Sequence, residues 1–347
     1  MQQIKEYHGC SPERFLQELL PLGKPVVLRQ AVASWPVVKA AQDGPAALLS
    51  YLKPFDSGQA TDTLLLAADT AGRIFYRPDY QGFNFERSRY PLTAVLQQLI
   101  KQSSAPPSLF IALQSAALQR CLPELVTQLP LPFLPEPAAG RVWLGNQVTV
   151  PAHFDDGHNL AAVVAGRRRF TLFPPEQVAN LYPGPLDFAP TGTPISLLNL
   201  HKPDYQRFPR AKAALASAQQ TELLPGDVLY IPLLWWHQVE SLSPVSMLIN
   251  YWWGGSLSAT PVQPAAFDSL LFTLLSMQHY SPAERQAWAA LFQYFAFSGA
   301  ATGIPAQLPA LQNLLQPGQG ELPTAARLAA LRSWLQQQLA DKQTNSS

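Results

Sequence analysis

Between residues 140 and 255 the chain breaks into many short apolar runs, each closed by glycine or proline, and few architectures accept that pattern. Runs such as Val142-Trp143-Leu144, Ala161-Ala162-Val163-Val164 and Val228-Leu229-Tyr230-Ile231 are short and rich in β-branched or aromatic residues. Many short strands separated by turns predict a sandwich or barrel and argue against a parallel, doubly wound sheet. The flanks differ. Residues 1–135 mix signals: Ser11 precedes Pro12 as a helix N-cap, Pro25–Arg29 reads as a buried strand, and Leu92–Ile100 reads as a helix stopped by Pro106-Pro107. Residues 259–341 turn helical, with a capping box at Ser281 and Glu284. There Leu328, Leu331, Leu335 and Leu339 form a stripe that its own core or a second subunit must cover. The polar tail 342–347 is expected to be disordered. The expected fold is mainly β with helical additions, its core spanning residues 136–258.

Charge narrows the function classes. Charged residues make up 14% of the chain, against about 25% in an ordinary soluble domain. Low charge raises the question of a membrane span. The longest uncharged stretch, Gln286–Gly320, is broken by Gly299, Gly303, Pro305 and Pro309, so no unbroken apolar window spans a bilayer. Lys+Arg 24 against Asp+Glu 23 is too balanced for a nucleic-acid or anionic-membrane binder. Two cysteines and an N-terminus without an apolar leader set the expectation of a cytoplasmic protein. No phosphate-binding loop, dinucleotide fingerprint or nucleophile elbow is present.

Of the six histidines, His153, His158, His201 and His237 fall in or beside the strand-rich centre. In Pro151-Ala152-His153-Phe154-Asp155, His153 and Asp155 stand two residues apart, which in a strand puts both on one face. His237 follows Trp235-Trp236 far downstream. Two histidines and one carboxylate are the donor set of the facial triad that binds non-haem Fe(II). Taken singly, each element is more often structural than metal-binding. His158 is not expected to be a ligand, because a fourth protein donor would close the site.

The wording around both halves is more specific. His153-Phe154-Asp155, Asn159-Leu160, Gly166-Arg167-Arg168-Arg169-Phe170, Leu172-Phe173-Pro174-Pro175, Pro225-Gly226-Asp227, Trp235-Trp236-His237 and Asn250-Tyr251-Trp252 occur in that order. Over about residues 140–255 the chain resembles the cupin-like branch of the JmjC oxygenases, which includes an asparaginyl hydroxylase of hypoxia-inducible factor and a small-heat-shock-protein-associated protein. The resemblance implies a double-stranded β-helix, a cupin or jelly-roll core. It also implies Fe(II) held by His153, Asp155 and His237, with 2-oxoglutarate as co-substrate and hydroxylation of a protein or peptide side chain. Asn159 and Asn250 match pocket positions of the family, and a homodimer through the C-terminal helices is implied by similarity to the hypoxia-type hydroxylase.

One feature is readable without the resemblance. In Arg167-Arg168-Arg169-Phe170-Thr171-Leu172, alternation groups Arg168 with Phe170 and Leu172 on the apolar, inward face. A buried guanidinium needs an anion, either the distal carboxylate of 2-oxoglutarate or an internal Asp or Glu. Arg167 and Arg169 read as a solvated face. Three departures from the hypoxia-type pattern stand beside this. Arg168 replaces a lysine, Val150 replaces a threonine three residues before His153, and Phe110 replaces a tyrosine. Thr149 could substitute for the missing hydroxyl only if a bulge re-aims it. Same-chemistry action on a small molecule or free amino acid, and a non-catalytic cupin scaffold, remain the alternatives. Histone demethylation is disfavoured by the lack of a reader module and of an acidic groove.

Overall fold

In the computed structural model, residues 1–257 and 265–297 are described, with Ala329, Ser333 and Gln336 as separate helical positions. The chain divides into two units, residues 1–257 and 258–347.

The first unit is built on two sheets. The five-stranded sheet runs in the order Gln2–Gln3, Gln219–Leu223, Arg168–Phe173, Trp236–Ser241 and Thr149–His153. The nine-stranded sheet runs Lys5–His8, Val26–Arg29, Val228–Ile231, His158–Ala165, Ser246–Trp253, Gly140–Gly145, Leu109–Ala117, Thr61–Ala67 and Glu86–Tyr90. The sheets stay separate and do not close into a barrel, as in a jelly-roll sandwich. Strands from residues 1–135 are hydrogen-bonded into the same sheets as the central ones, so they widen the sandwich as well as packing on it.

Strand alternation distributes the core into layers. In the strand His158–Ala165, Ala161 and Val163 join Val27, Phe170, Leu172, Leu223, Leu229 and Leu248 in one cluster between the sheets. Leu160, Ala162 and Val164 point to the opposite face. There they meet Phe15, Val38, Leu48, Leu52, Leu96 and Leu99, most of them on short N-terminal helices. A strand covered on both faces explains why His158–Ala165 reads as a continuous apolar run.

The turn Pro225-Gly226-Asp227 ties the N-terminal segment to the core. Gly226 takes a positive φ of 97°, which the sharp reversal needs. Asp227, 1% exposed, then pairs with Arg29 at 2.6 Å and accepts from the backbone of Gln30 and Leu224. A buried carboxylate is tolerable because its lone pairs are filled.

The second unit is described through helices Ala266–Ser276 and Pro282–Phe292. The expected capping box is present: Ser281 Oγ accepts from Glu284 N, and Glu284 accepts from Ser281 N. The stripe Leu328/Leu331/Leu335/Leu339 and the tail 342–347 lie outside the described residues. No helix among the described residues is long and apolar enough to cross a membrane.

Candidate metal centre and its cavity

Two neighbouring strands, Thr149–His153 and Trp236–Ser241, carry both histidines as cross-strand partners, His237 opposite His153. Their ring centroids lie 4.3 Å apart. Asp155 follows just beyond the strand end and brings Oδ2 to 3.5 Å from His237 Nε2. One ligand atom from each of the three residues lies within 4.8 Å of the others. Among the described residues this is the one group of three or more His, Cys, Asp or Glu so arranged.

The backbone fixes both imidazoles. His153 Nδ1 donates to the Pro151 carbonyl and His237 Nδ1 to the Trp235 carbonyl, each at 2.9 Å. A carbonyl only accepts, so each Nδ1 carries a proton, and in the neutral ring it is Nε2 that holds the lone pair a metal needs. Burial, reinforced by the neighbouring His237, pushes the His153 pKa down to about 4, so the ring is neutral at physiological pH. Two neutral imidazole nitrogens and one carboxylate suit Fe(II) with coordination positions left open. The residues present fit that ion.

The cavity beside the triad has a volume of about 600 Å³ and takes its walls from both sheets. Asn159, Asn250 and Arg168 line it with His153, Asp155 and His237, so six of the seven residues singled out by sequence meet in one place. Arg168 is 7% exposed and faces inward, as alternation requires. Its Nε donates to Ser246 Oγ at 2.9 Å, and Nη2 reaches the Trp143 carbonyl at a long 3.5 Å. Among the described residues no carboxylate pairs with it, which removes the internal ion pair as an explanation. Burial lowers its pKa to about 10, so the guanidinium stays charged at neutral pH. A buried cation with only neutral acceptors has the capacity to pair with an anion. Arg167 and Arg169 lie on the other face. There Arg169 pairs with Glu222 at 2.7 Å and Glu240 at 3.6 Å, an ion-paired surface where plain solvation was expected.

Thr149, the seventh residue, does not line the cavity; Val150 does. The reason is a bulge. His237 opposes His153 but Val239 opposes Val150, so one strand spends three steps where its partner spends two. The parity change brings Val150 and His153 to the same cavity and leaves Thr149 paired through its backbone with Gly72 and Ile74. Pro151, which lacks a ladder donor, sits where the irregularity makes that harmless. Phe110 also lies outside the cavity, packed with Leu64, Leu66, Ile74 and Val148. The expectation for Thr149 is therefore reversed: unbroken alternation from His153 would face Thr149 to the cavity, and the bulge puts Val150 there instead.

His158 is no ligand. Its Nδ1 meets Tyr230 OH at 3.0 Å and accepts from Leu233 N at 3.3 Å, and its ring clusters with those of Tyr230 and Trp253. His201, without an evident partner in sequence, lies 3.2 Å from Glu240. Two tryptophans have a polar role that sequence reasoning missed. Trp252 Nε1 donates to Asp155 Oδ2 at 3.1 Å. Trp143 Nε1 donates to Asn250 Oδ1 at 2.8 Å, and Asn250 Nδ2 donates to Asn159 Oδ1 at 3.3 Å. The signal was available: Ser246, Leu248, Asn250 and Trp252 are i, i+2 neighbours on one strand face.

Residues 12–258 match the family described as "Cupin-like domain". Over 113 residues the chain is 41% identical to HSPB1-associated protein 1 of Homo sapiens, a stretch covering 32% of this chain and 22% of that protein. Over 267 residues it is 27% identical to Jumonji C domain-containing protein 5 of Drosophila melanogaster, covering 72% and 59% of the two chains. Over 101 residues it is 37% identical to Lysine-specific demethylase JMJ31 of Arabidopsis thaliana, covering 29% and 18%. The match thus spans under two thirds of each relative's own length. A jelly-roll sandwich, a His-Asp-His cluster beside the cavity between its sheets and a family match over most of the length lead to one conclusion: this chain belongs to the JmjC-type cupin-like domain family.

Proposed function

We propose that the protein is an Fe(II)- and 2-oxoglutarate-dependent oxygenase that hydroxylates a side chain of a protein or peptide. The observation that carries this reading is the buried Arg168, a cation without a carboxylate partner, lining the same cavity as His153, Asp155 and His237. Fe(II) bound with 2-oxoglutarate supplies the oxidation of an unactivated C–H bond by dioxygen. His153 and His237 offer fixed Nε2 lone pairs, and Asp155, steadied by Trp252, offers the charge that offsets the metal. Arg168 holds the distal carboxylate of the co-substrate by a charge-assisted pair, with Ser246 orienting its fork. Asn159 and Asn250 line the wall as a bonded amide pair and present a polar edge to bound ligand. Val150 and Phe110 add no hydroxyl, so Arg168 carries that carboxylate more nearly alone than in the hypoxia-type hydroxylases.

The scaffold reading is weakened by the intact triad, because a cupin that had lost its chemistry has no reason to keep two histidines and a carboxylate within ligand distance of one another. The same proposal places a second copy against the C-terminal helices, where Phe272, Leu275, Trp288 and Leu291 present exposed apolar side chains.

Anaerobic titration of the protein with Fe(II) and then 2-oxoglutarate tests the reading. A visible charge-transfer absorption should appear in the wild type and vanish in His153→Ala and Asp155→Ala. Absence of the band in wild-type protein, or iron affinity that survives both substitutions, refutes the assignment.

A further inference from the structure

The cavity does not end at the triad. It is contiguous with a side groove of about 150 Å³, and the two share Asp62, Gln114, Ser115 and Arg141 as walls. This end of the cavity is made by strands far from the metal-binding motifs in sequence. On Gly140–Gly145, Arg141 and Trp143 share a face by alternation, and both line the cavity. Opposite them the strand Leu109–Ala117 slips register between Leu113 and Ala116. Ser115 there takes a positive φ of 43°, an uncommon conformation for a residue with a side chain. The slip turns Gln114 and Ser115 together toward the junction of cavity and groove, and the Ser115 carbonyl accepts from Arg141 Nη1 at 3.3 Å. Strain held at a cavity mouth is a pointer to function.

The charge of this junction is one-sided. Arg87, Arg89, Arg120 and Arg141 line the cavity mouth or the groove, against one carboxylate, Asp62, which lies 3.9 Å from Arg87. Among the described residues Arg89, Arg120 and Arg141 make no ion pair. Arg89 and Arg141 spend one N–H each on the carbonyls of Ala60 and Ser115. Elsewhere Arg14, Arg29, Arg77, Arg167 and Arg169 face carboxylates, while Arg73, Arg207, Arg210 and Arg285 are scattered singly and donate to carbonyl or hydroxyl oxygens. The chain as a whole carries only +1, so the imbalance is local.

We propose that this groove is the substrate track, and that it reads an acidic polypeptide segment whose Asp or Glu side chains lie across Arg89, Arg120 and Arg141 while a neighbouring residue enters the cavity. The proposal rests on the oxygenase reading above and adds the class of substrate to it. A peptide fits better than a nucleic acid, the other polyanion. No aromatic side chain lines the groove to stack a base, whereas Gln59, Gln114 and Ser115 offer the amides and hydroxyl that a peptide backbone uses. A lysine-rich tail is repelled by the same four arginines.

Fluorescence anisotropy of the full chain with three labelled twelve-residue probes tests the groove: a Glu/Asp-rich peptide, its Lys-substituted counterpart and a single-stranded oligonucleotide. The acidic peptide should bind best. Its affinity should fall about tenfold or more in Arg141→Glu and in Arg89→Glu/Arg120→Glu, and stay unchanged in Arg77→Glu, which reverses an arginine outside the groove. Equal binding of the acidic and basic peptides, tighter binding of the oligonucleotide, or full binding by the Arg89→Glu/Arg120→Glu protein overturns the proposal. The charge-transfer band reports separately on the chemistry. Selective peptide binding without the band keeps the groove and removes the oxygenase, and the band without peptide selectivity does the reverse.

Discussion

Two buried charges in this molecule are handled in opposite ways. Asp227 sits under the N-terminal strand with Arg29 as counter-ion and backbone donors on both oxygens. Arg168 sits between the sheets, also buried, with a serine hydroxyl and a distant carbonyl for company. Where a charge serves the fold, the protein supplies the partner. Under the function proposed above, the partner of Arg168 is left to the ligand. The contrast separates structural from functional polar groups without any knowledge of the reaction.

The largest test of this contrast is Asp227→Ala. It leaves Arg29 without its deepest partner and two part-buried amides without an acceptor, and should cost about 3–5 kcal/mol in chemical denaturation. Arg168→Met should instead leave stability within about 1 kcal/mol of wild type, because it removes a buried charge that has no protein counter-ion. The same variant should weaken 2-oxoglutarate binding about 10–100-fold while sparing metal binding, read by isothermal titration with Mn(II) in place of iron. Should Arg168→Met unfold as readily as Asp227→Ala, the contrast fails. Trp252→Phe keeps an aromatic side chain, smaller than the indole, and deletes the donor to Asp155, so Mn(II) affinity should drop about tenfold, with a smaller stability loss than Asp227→Ala. At the small end, Glu222→Gln breaks the half-exposed pair with Arg169 and should cost at most about 1 kcal/mol. That value sets the floor against which the buried sites are judged.

What was legible in the sequence follows from the same physics. Alternation is a local rule, so it placed Arg168 inward from six consecutive residues, and it put His153 and Asp155 on one side even though the strand stops at His153. The capping box at Ser281 is likewise a property of four residues. Features that depend on register between distant strands were not readable. Arg141, Gln114 and Arg87 meet the cavity only because strands from residues 61–117 extend the nine-stranded sheet, and no spacing within the motifs encodes that. The polar duty of Trp252 was readable in principle from its place two residues after Asn250, but tryptophan in a core strand is so often packing alone that its indole N–H drew no notice.

The bulge before His153 has a practical corollary for anyone altering or aligning this chain. Across it, neighbours in the written sequence trade places in space, so a column-by-column alignment that slides by one residue credits the cavity with a hydroxyl it does not possess. An engineer wanting that hydroxyl should leave Thr149 alone and change Val150→Thr, a swap of near-equal volume. It should tighten 2-oxoglutarate binding severalfold, and Thr149→Val should leave binding untouched. Counting residues, here, is a less faithful guide than counting hydrogen bonds.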